Sequence, residues 1–259
     1  VQAMKDGKNV AIEVPAALNL KEIWELINTS EKTRKHCMQL ENCVYDFFEL
    51  TTLNMAQQGV FGEILHAEGA YIHNLEPYWK DYWNNWRLDY NTEHRGDIYA
   101  THGMGPACLA LIIHRGDKMN YLVSMDTKAV GIPAFIKEST GKLITDFKNG
   151  DLTMTMIKTE KGKTIQIQHD VANPRPYNRM YQLTGTKGFA NKYPVEGYAL
   201  GSESISSDIK VNHENLTAHS FVSEEIKTAL MEKYKNPIVI DIEEKAKQVG
   251  GHGGMDFIM

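Results

Sequence analysis

Cysteine is scarce in this sequence, with only Cys37, Cys43 and Cys108 among 259 residues. Three cannot make a disulfide framework and their spacing matches no zinc ribbon, so they read as buried, reduced thiols. Excess positive charge is absent too. A net charge of −5 and a pI near 6.1 argue against a nucleic-acid binder, which carries a basic face. No apolar run is long enough to cross a bilayer. No His-Glu-x-x-His motif exists, and His36, His66, His73 and His114 show no metal-ligand spacing, so no metal is expected. What remains is a chain with 42% hydrophobic and 24% charged residues, sufficient to bury one or two ordinary cores.

The most informative stretch runs from Gly96 to Cys108. It places Tyr99 and His102 three residues apart, ahead of a small-residue turn and an apolar segment read as a helix over Gly103 to His114. A histidine exchanges protons near neutral pH, and a neighbouring tyrosine hydroxyl donates, accepts or relays one. The pair is therefore expected at a helix mouth, facing one ligand.

The N-terminal residues read as a helix tail, a turn at Gly7 and a strand over Asn9 to Val14. An amphipathic helix over Leu20 to His36 and a strand over Cys37 to Val44 follow. Strand, helix, strand in this order is a βαβ unit with a parallel sheet. One such unit needs further strands and helices to be stable, and Gly250 to Met259 reads as a turn into a short final helix. The chain is thus expected to be a fragment: residues 1–46 the remnant of a doubly wound domain, residues 47–259 a second domain truncated at its end.

Within the second part, Phe47 to Gln58 is helical, with Gly59 or Gly62 as stops, and Phe61 to His73 alternates as a strand. Tyr121 to Ala129 and Met180 to Thr184 are further strands. Thr153 to Thr159 and Thr164 to His169 form a hairpin through Glu160 to Lys163. Ser223 to Tyr234 and Glu243 to Val249 are helical. Strands with helices set apart give an α+β class. The aromatic run from Tyr78 to Trp86 reads equally as a sugar-stacking wall, a packed loop or a subunit contact.

Taken in order, Asn9 to Pro15, Leu40 to Tyr45, Gly59 to Ile64, Gly69 to His73, Trp86 to Leu88, Tyr99 to His102, Gln168 to Asp170 and Gly251 to Asp256 resemble the Gfo/Idh/MocA oxidoreductases. Within them, the chain is most similar to glycoside hydrolase family 109, the bacterial NAD-dependent α-N-acetylgalactosaminidases. The resemblance implies an N-terminal Rossmann domain, of which residues 1–46 would be the last β-α-β piece. It implies next a C-terminal α/β domain with a large, open, mostly antiparallel sheet, through which homo-oligomers would form. The Gly-rich phosphate loop of such folds is missing ahead of Glu13. The compartment stays open between periplasm and cytoplasm.

The same resemblance implies roles. The superfamily's Glu-Lys-Pro stands here as Glu13-Val14-Pro15, and the lost lysine favours the glycosidase-like branch over an ordinary alcohol dehydrogenase. There, hydride leaves sugar C3 for NAD, the C2 proton is removed, the glycosidic oxygen is eliminated, water adds and the hydride returns. No carboxylate pair is needed, unlike in common glycosidases. His102 matches the histidine expected to handle the 3-hydroxyl proton, and Tyr45 the tyrosine expected to take the C2 proton. With an ordinary tyrosine pKa of about 10, such a base needs a cation beside it. Tyr71, Arg87, Tyr99 and Tyr181 match sugar-contacting positions, with His102 among them, while Glu13, Val14 and Asn42 match cofactor-contacting ones. His169-Asp170 and Arg175 read either as lining of the site or, preferred of the two, as a satisfied core pair. Two alternatives stand beside this reading: a sugar or inositol dehydrogenase that releases NADH, and a non-catalytic sugar-binding or oligomerising domain.

Overall fold

A computed structural model describes residues 1–78 and 85–259. Helix α1 (Gln2–Lys5) is followed by a turn at Gly7, whose φ of +81° suits a residue without Cβ. Strand β1 (Val10–Glu13) leads to α2 (Leu20–Thr33), which opens where the Asn19 side chain accepts the Glu22 amide. Strand β2 (Cys37–Leu40) then pairs with β1 in parallel, Val10 opposite Cys37 and Glu13 opposite Leu40. The βαβ unit is as expected, with one correction. The strand stops at Leu40, because the Glu41 carboxylate accepts the Cys43 amide at 3.1 Å and turns the chain into a 3-10 turn, Asn42–Tyr45. Leu20 and Trp24 on α2 remain 74% and 60% exposed, since the two-stranded sheet leaves that side of the helix uncovered.

Helix α3 (Phe47–Gln57) is capped by Asp46 and runs into β3 (Ile64–Ile72). After the described residues resume come α4 (Trp86–Glu93), α5 (Ala100–Ala110), β4 (Met119–Asp126) and α6 (Gly131–Thr140). Strands β5 (Leu152–Thr159), β6 (Thr164–Asp170), β7 (Tyr181–Gly185), β8 (Gly188–Asn191) and β9 (Gly197–Leu200) complete the sheet. Helices α7 (Glu224–Lys233), α8 (Glu243–Val249) and α9 (Gly251–Ile258) end the chain. The seven-stranded sheet has the order β4-β5-β6-β3-β7-β8-β9. Only β3 with β6 is parallel; the other pairs are antiparallel. The α+β class and the large, mostly antiparallel sheet are therefore found.

One face of this sheet is the core. Ala67, Ile165, Ile167, Leu183 and Ala190 meet Phe48 and Met55 of α3 and Ala107 of α5. The opposite face is open, and its β4–β5 end shows Tyr121, Val123, Met125, Met154 and Met156 to solvent. Two further expectations need correction. In β3 the alternation is broken between Ile64 and His66, where the register shifts and Leu65 is turned outward. Helix α5 begins at Ala100 rather than Gly103, because Asp97 accepts the Tyr99 amide at 2.8 Å just ahead of it. It ends at Ala110, before Ile112 and His114 adopt φ of 55° and 59°. Of the aromatic run, Trp79, Tyr82 and Trp83 lie outside the described residues.

Candidate active site

Helix α5 crosses β3 at the closest backbone approach in this region. A Cβ at Gly69 would stand 2.5 Å from the Gly103 carbonyl oxygen, and one at Gly103 would stand 2.8 Å from the Ala70 nitrogen. Two glycines facing each other let the helix lie directly on the strand, and this sets His102, next to Gly103, beside Tyr71, two residues beyond Gly69. The Tyr71 ring centre is 4.9 Å from His102 and 5.1 Å from Tyr99. Tyr99 and His102 stack 5.7 Å apart with planes 4° from parallel. His169, the register partner of Tyr71 on β6, stacks 6.2 Å from it. Arg87 of α4 reaches the group by donating Nε–H to the Tyr99 hydroxyl at 2.7 Å. Val14 at the end of β1 packs in the same apolar cluster as Tyr71 and Tyr99.

The polar side of the site comes from the 3-10 turn and the approach to β7. His102 Nδ1 is 2.7 Å from Glu41 Oε1, with both side chains at most 10% exposed. Arg179 donates to Cys43 Sγ at 2.8 Å and to Asn42 Oδ1 at 3.3 Å, and its Nη2 lies 2.9 Å from His252 Nε2 of α9. The Arg179 guanidinium also lies 5.4 Å from the Tyr71 ring centre. Asn42 in turn donates to Asp256 Oδ1 at 3.0 Å, so the last helix is tied to this corner.

These positions shift acidities in opposing ways. Burial pushes the Tyr71 hydroxyl well above the usual tyrosine value, while the Arg179 charge pulls against that. Burial and the same arginine hold His73, whose Nδ1 is 3.2 Å from the Tyr71 hydroxyl, below the usual histidine value. Burial alone would raise the Glu41 carboxyl, but the hydrogen bond and charge of His102 outweigh it and hold it low. Burial raises Asp97 despite His169 Nε2 at 3.7 Å.

Of the residues picked from the sequence, Tyr71, Arg87, Tyr99, His102 and Val14 come together. Asn42 joins them through Arg179. Tyr45 does not: it packs against the cluster of Leu50, Val239, Ala246 and Ile258 beside the last two helices. Tyr181 lies 2% exposed in the main core, and no hydrogen-bond partner for its hydroxyl is found among the described residues. Glu13 is exposed at the end of β1. Asp170 and Arg175 form a turn contact: Asp170 accepts the Asn173 amide at 3.0 Å and the guanidinium at 3.3 Å.

Three site residues were not singled out from the sequence. Glu41 and His252 lie inside quoted segments, which gave a local signal. Arg179 follows a loop and reaches Asn42 and Cys43 only through the fold. Glu41, Cys43 and His102 place one donor atom each within 4.8 Å of one another. The arginine on the sulfur opposes a bound cation and Glu41 already holds the imidazole, so the trio is a hydrogen-bonded group.

The fold that carries this group, a βαβ unit followed by a large, mostly antiparallel sheet, is shared with bacterial oxidoreductases. An inositol dehydrogenase homolog from Azotobacter vinelandii, solved with NAD+, matches 99% of this chain and 69% of its own with a TM-score of 0.56 at 13% identity. An NAD-binding oxidoreductase from Klebsiella pneumoniae matches 90% of this chain and 64% of its own, with a TM-score of 0.57 at 16% identity. At the family level, residues 45–259 match the C-terminal domain of glycosyl hydrolase 109. Glycosyl hydrolase family 109 protein 1 of Bacteroides fragilis is 70% identical over all 259 residues, which cover 56% of its length. The family protein of Porphyromonas gingivalis is 69% identical over the whole chain and is covered over 55% of its length. This chain belongs to glycosyl hydrolase family 109, and it spans about half the length of the curated relatives it matches.

Proposed function

We propose that the protein carrying this chain is an NAD-dependent glycosidase that cleaves α-linked N-acetylgalactosamine or a related sugar by C3 oxidation, C2 deprotonation and elimination. The observation that carries this reading is the grouping of His102, Tyr71 and Tyr99 with two arginines, in a chain with Val14 in place of a lysine. Residues 1–46 and 47–259 belong, in this reading, to a dinucleotide-binding and a catalytic domain, supported by their two separate sheets. The open sheet face near Val123 and Met125 is where two copies would meet; sedimentation of a monomer at micromolar concentration would count against that.

The residues present suit a nicotinamide ring. Val14 offers an apolar surface against Tyr71 and Tyr99. A cavity of about 510 Å³ beside Pro15 is lined by Gln39, Asp97 and Thr101. Gln39 Nε2 and Asp97 Oδ2 are buried polar atoms without a partner among the described residues. These are the donor and the acceptor a carboxamide would use. When bound, NAD supplies the acceptor for the C3 hydride and its return.

His102 receives the proton of the sugar 3-hydroxyl. Arg87 and Tyr99 hold neighbouring hydroxyls, a task suited to the fixed fork of a guanidinium. The C2 proton, acidified by the carbonyl at C3, goes to a tyrosine. We assign this step to Tyr71 rather than Tyr45, because Tyr71 lies against His102 with Arg179 over its ring; burial keeps its hydroxyl protonated, so as it takes the C2 proton it passes its own to His73 Nδ1, 3.2 Å away.

A second reading is favoured by the fold shared with inositol dehydrogenase homologs: oxidation of a free sugar or inositol hydroxyl with release of NADH. Incubating the full-length protein with an aryl α-N-acetylgalactosaminide and, separately, with free sugars distinguishes the two. Cleavage without net NADH supports the glycosidase, and NADH from free sugar without cleavage overturns it. Neither NAD binding nor turnover would leave a non-catalytic sugar-binding domain.

A further inference from the structure

We propose that Glu41 is a positioning residue that fixes the tautomer of His102, so that Nε2 is the nitrogen presented to the substrate hydroxyl. The inference rests on the proton-acceptor role proposed for His102. Glu41 closes β2 and caps the 3-10 turn through the Cys43 amide, so its carboxylate is held by backbone geometry rather than by a flexible stem. The same oxygen, Oε1, is 2.7 Å from His102 Nδ1. An ionised carboxylate only accepts hydrogen bonds, so Nδ1 must carry the proton. Cys43 Sγ, 3.5 Å from Nδ1, is the competing partner. It is the poorer one, being neutral, longer and already receiving a hydrogen bond from Arg179.

With Nδ1–H fixed, Nε2 has a lone pair, and no protein partner for it is found among the described residues. When the substrate hydroxyl gives its proton to Nε2, the ring becomes a cation between that atom and the Glu41 carboxylate, which compensates the new charge inside a buried site. The arrangement matches the histidine–carboxylate logic of acyl-transfer enzymes, where the carboxylate orients the ring and stays ionised. Charged and titratable groups around His102 are Asp97 and Tyr99, just ahead of its own helix, and Tyr71, Cys43, Arg179 and His252 from the elements packed against it. Of these, Asp97 and His252 interact with its charge.

The test is histidine-selective 15N NMR on the full-length protein, comparing wild type with Glu41→Gln and Glu41→Asp. In the wild type His102 is expected as the Nδ1–H tautomer. In Glu41→Gln, whose amide can donate as well as accept, the tautomers mix, and Glu41→Asp restores part of the preference. A folded Glu41→Gln protein with an unchanged tautomer would overturn the proposal. If either variant fails to fold, the other, with the wild-type tautomer, still decides it: Nε2–H in the wild type refutes it directly. If the enzyme cleaves no glycoside, the proposed reaction fails while the tautomer result stands on its own.

Discussion

Gly69→Ala tests most sharply how the fold builds the site. The new Cβ would lie 2.5 Å from the Gly103 carbonyl oxygen and 2.6 Å from its Cα, both backbone atoms that no rotamer change can move. To reach an ordinary 3.4 Å contact, helix α5 must recede from β3 by about 0.9 Å, a forced overpacking of the kind that costs about 1–3 kcal/mol. Backbone on both sides puts the expected value near 3 kcal/mol, or about 1 M in the urea midpoint for a chain of this size. The same displacement carries His102 away from Tyr71, and a misplacement of about 1 Å can cost roughly 100-fold in kcat/KM. Urea unfolding of this chain reads the first effect, and glycoside cleavage by the full-length protein reads the second. Gly103→Ala should cost less, since its Cβ contacts are looser and alanine is the better helix former by about 1 kcal/mol. Once the helix has receded, the second substitution adds little, so the double variant should be less than additive. A Gly69→Ala chain with an unchanged urea midpoint would refute the close-approach reasoning.

Three further outcomes are expected. Tyr71→Phe should lower kcat by about 10²–10⁴, the usual worth of a general base, and Tyr45→Phe should lower it far less; equal losses, or a larger one at Tyr45, would return the base role to Tyr45. Glu41 has a carboxyl held below its ordinary value, so its contribution to stability is complete above the unfolded value of 4.5 and lost as pH falls through the folded one. The gap in unfolding free energy between wild type and Glu41→Gln should therefore be about 2 kcal/mol near pH 5 and shrink as pH falls below 4.5; a gap that grew on that further acidification would contradict this. Finally, calorimetry of this chain alone should find NAD binding weaker than about 0.1 mM, because no Gly-rich phosphate loop precedes Glu13 in it; micromolar binding would contradict that.

Local signals in the sequence carried the elements whose causes are local. The βαβ pairing of β1 with β2 follows from period and order, and the β5–β6 hairpin follows from Glu160 to Lys163 between two alternating runs. Helix α6 was not legible, because its first amides are satisfied by Asp151, about twenty residues later, which accepts from Val130, Gly131 and Ile132. Strands β8 and β9, four residues each, are too short to show a period. In the site, Tyr99 and His102 were visible as neighbours in sequence, and Tyr71, Arg87 and Val14 through family resemblance. Their meeting depends on the Gly69–Gly103 contact, and Arg179 enters from 136 residues beyond Cys43. Only the tertiary structure supplies such contacts.

The central claim is an elimination through C2 with no net oxidation. It is tested most directly by letting the full-length protein cleave an aryl α-N-acetylgalactosaminide in heavy water with catalytic NAD, then reading the released sugar by NMR. The account predicts deuterium at C2 and no accumulation of NADH. Cleavage with protium retained at C2 would contradict it.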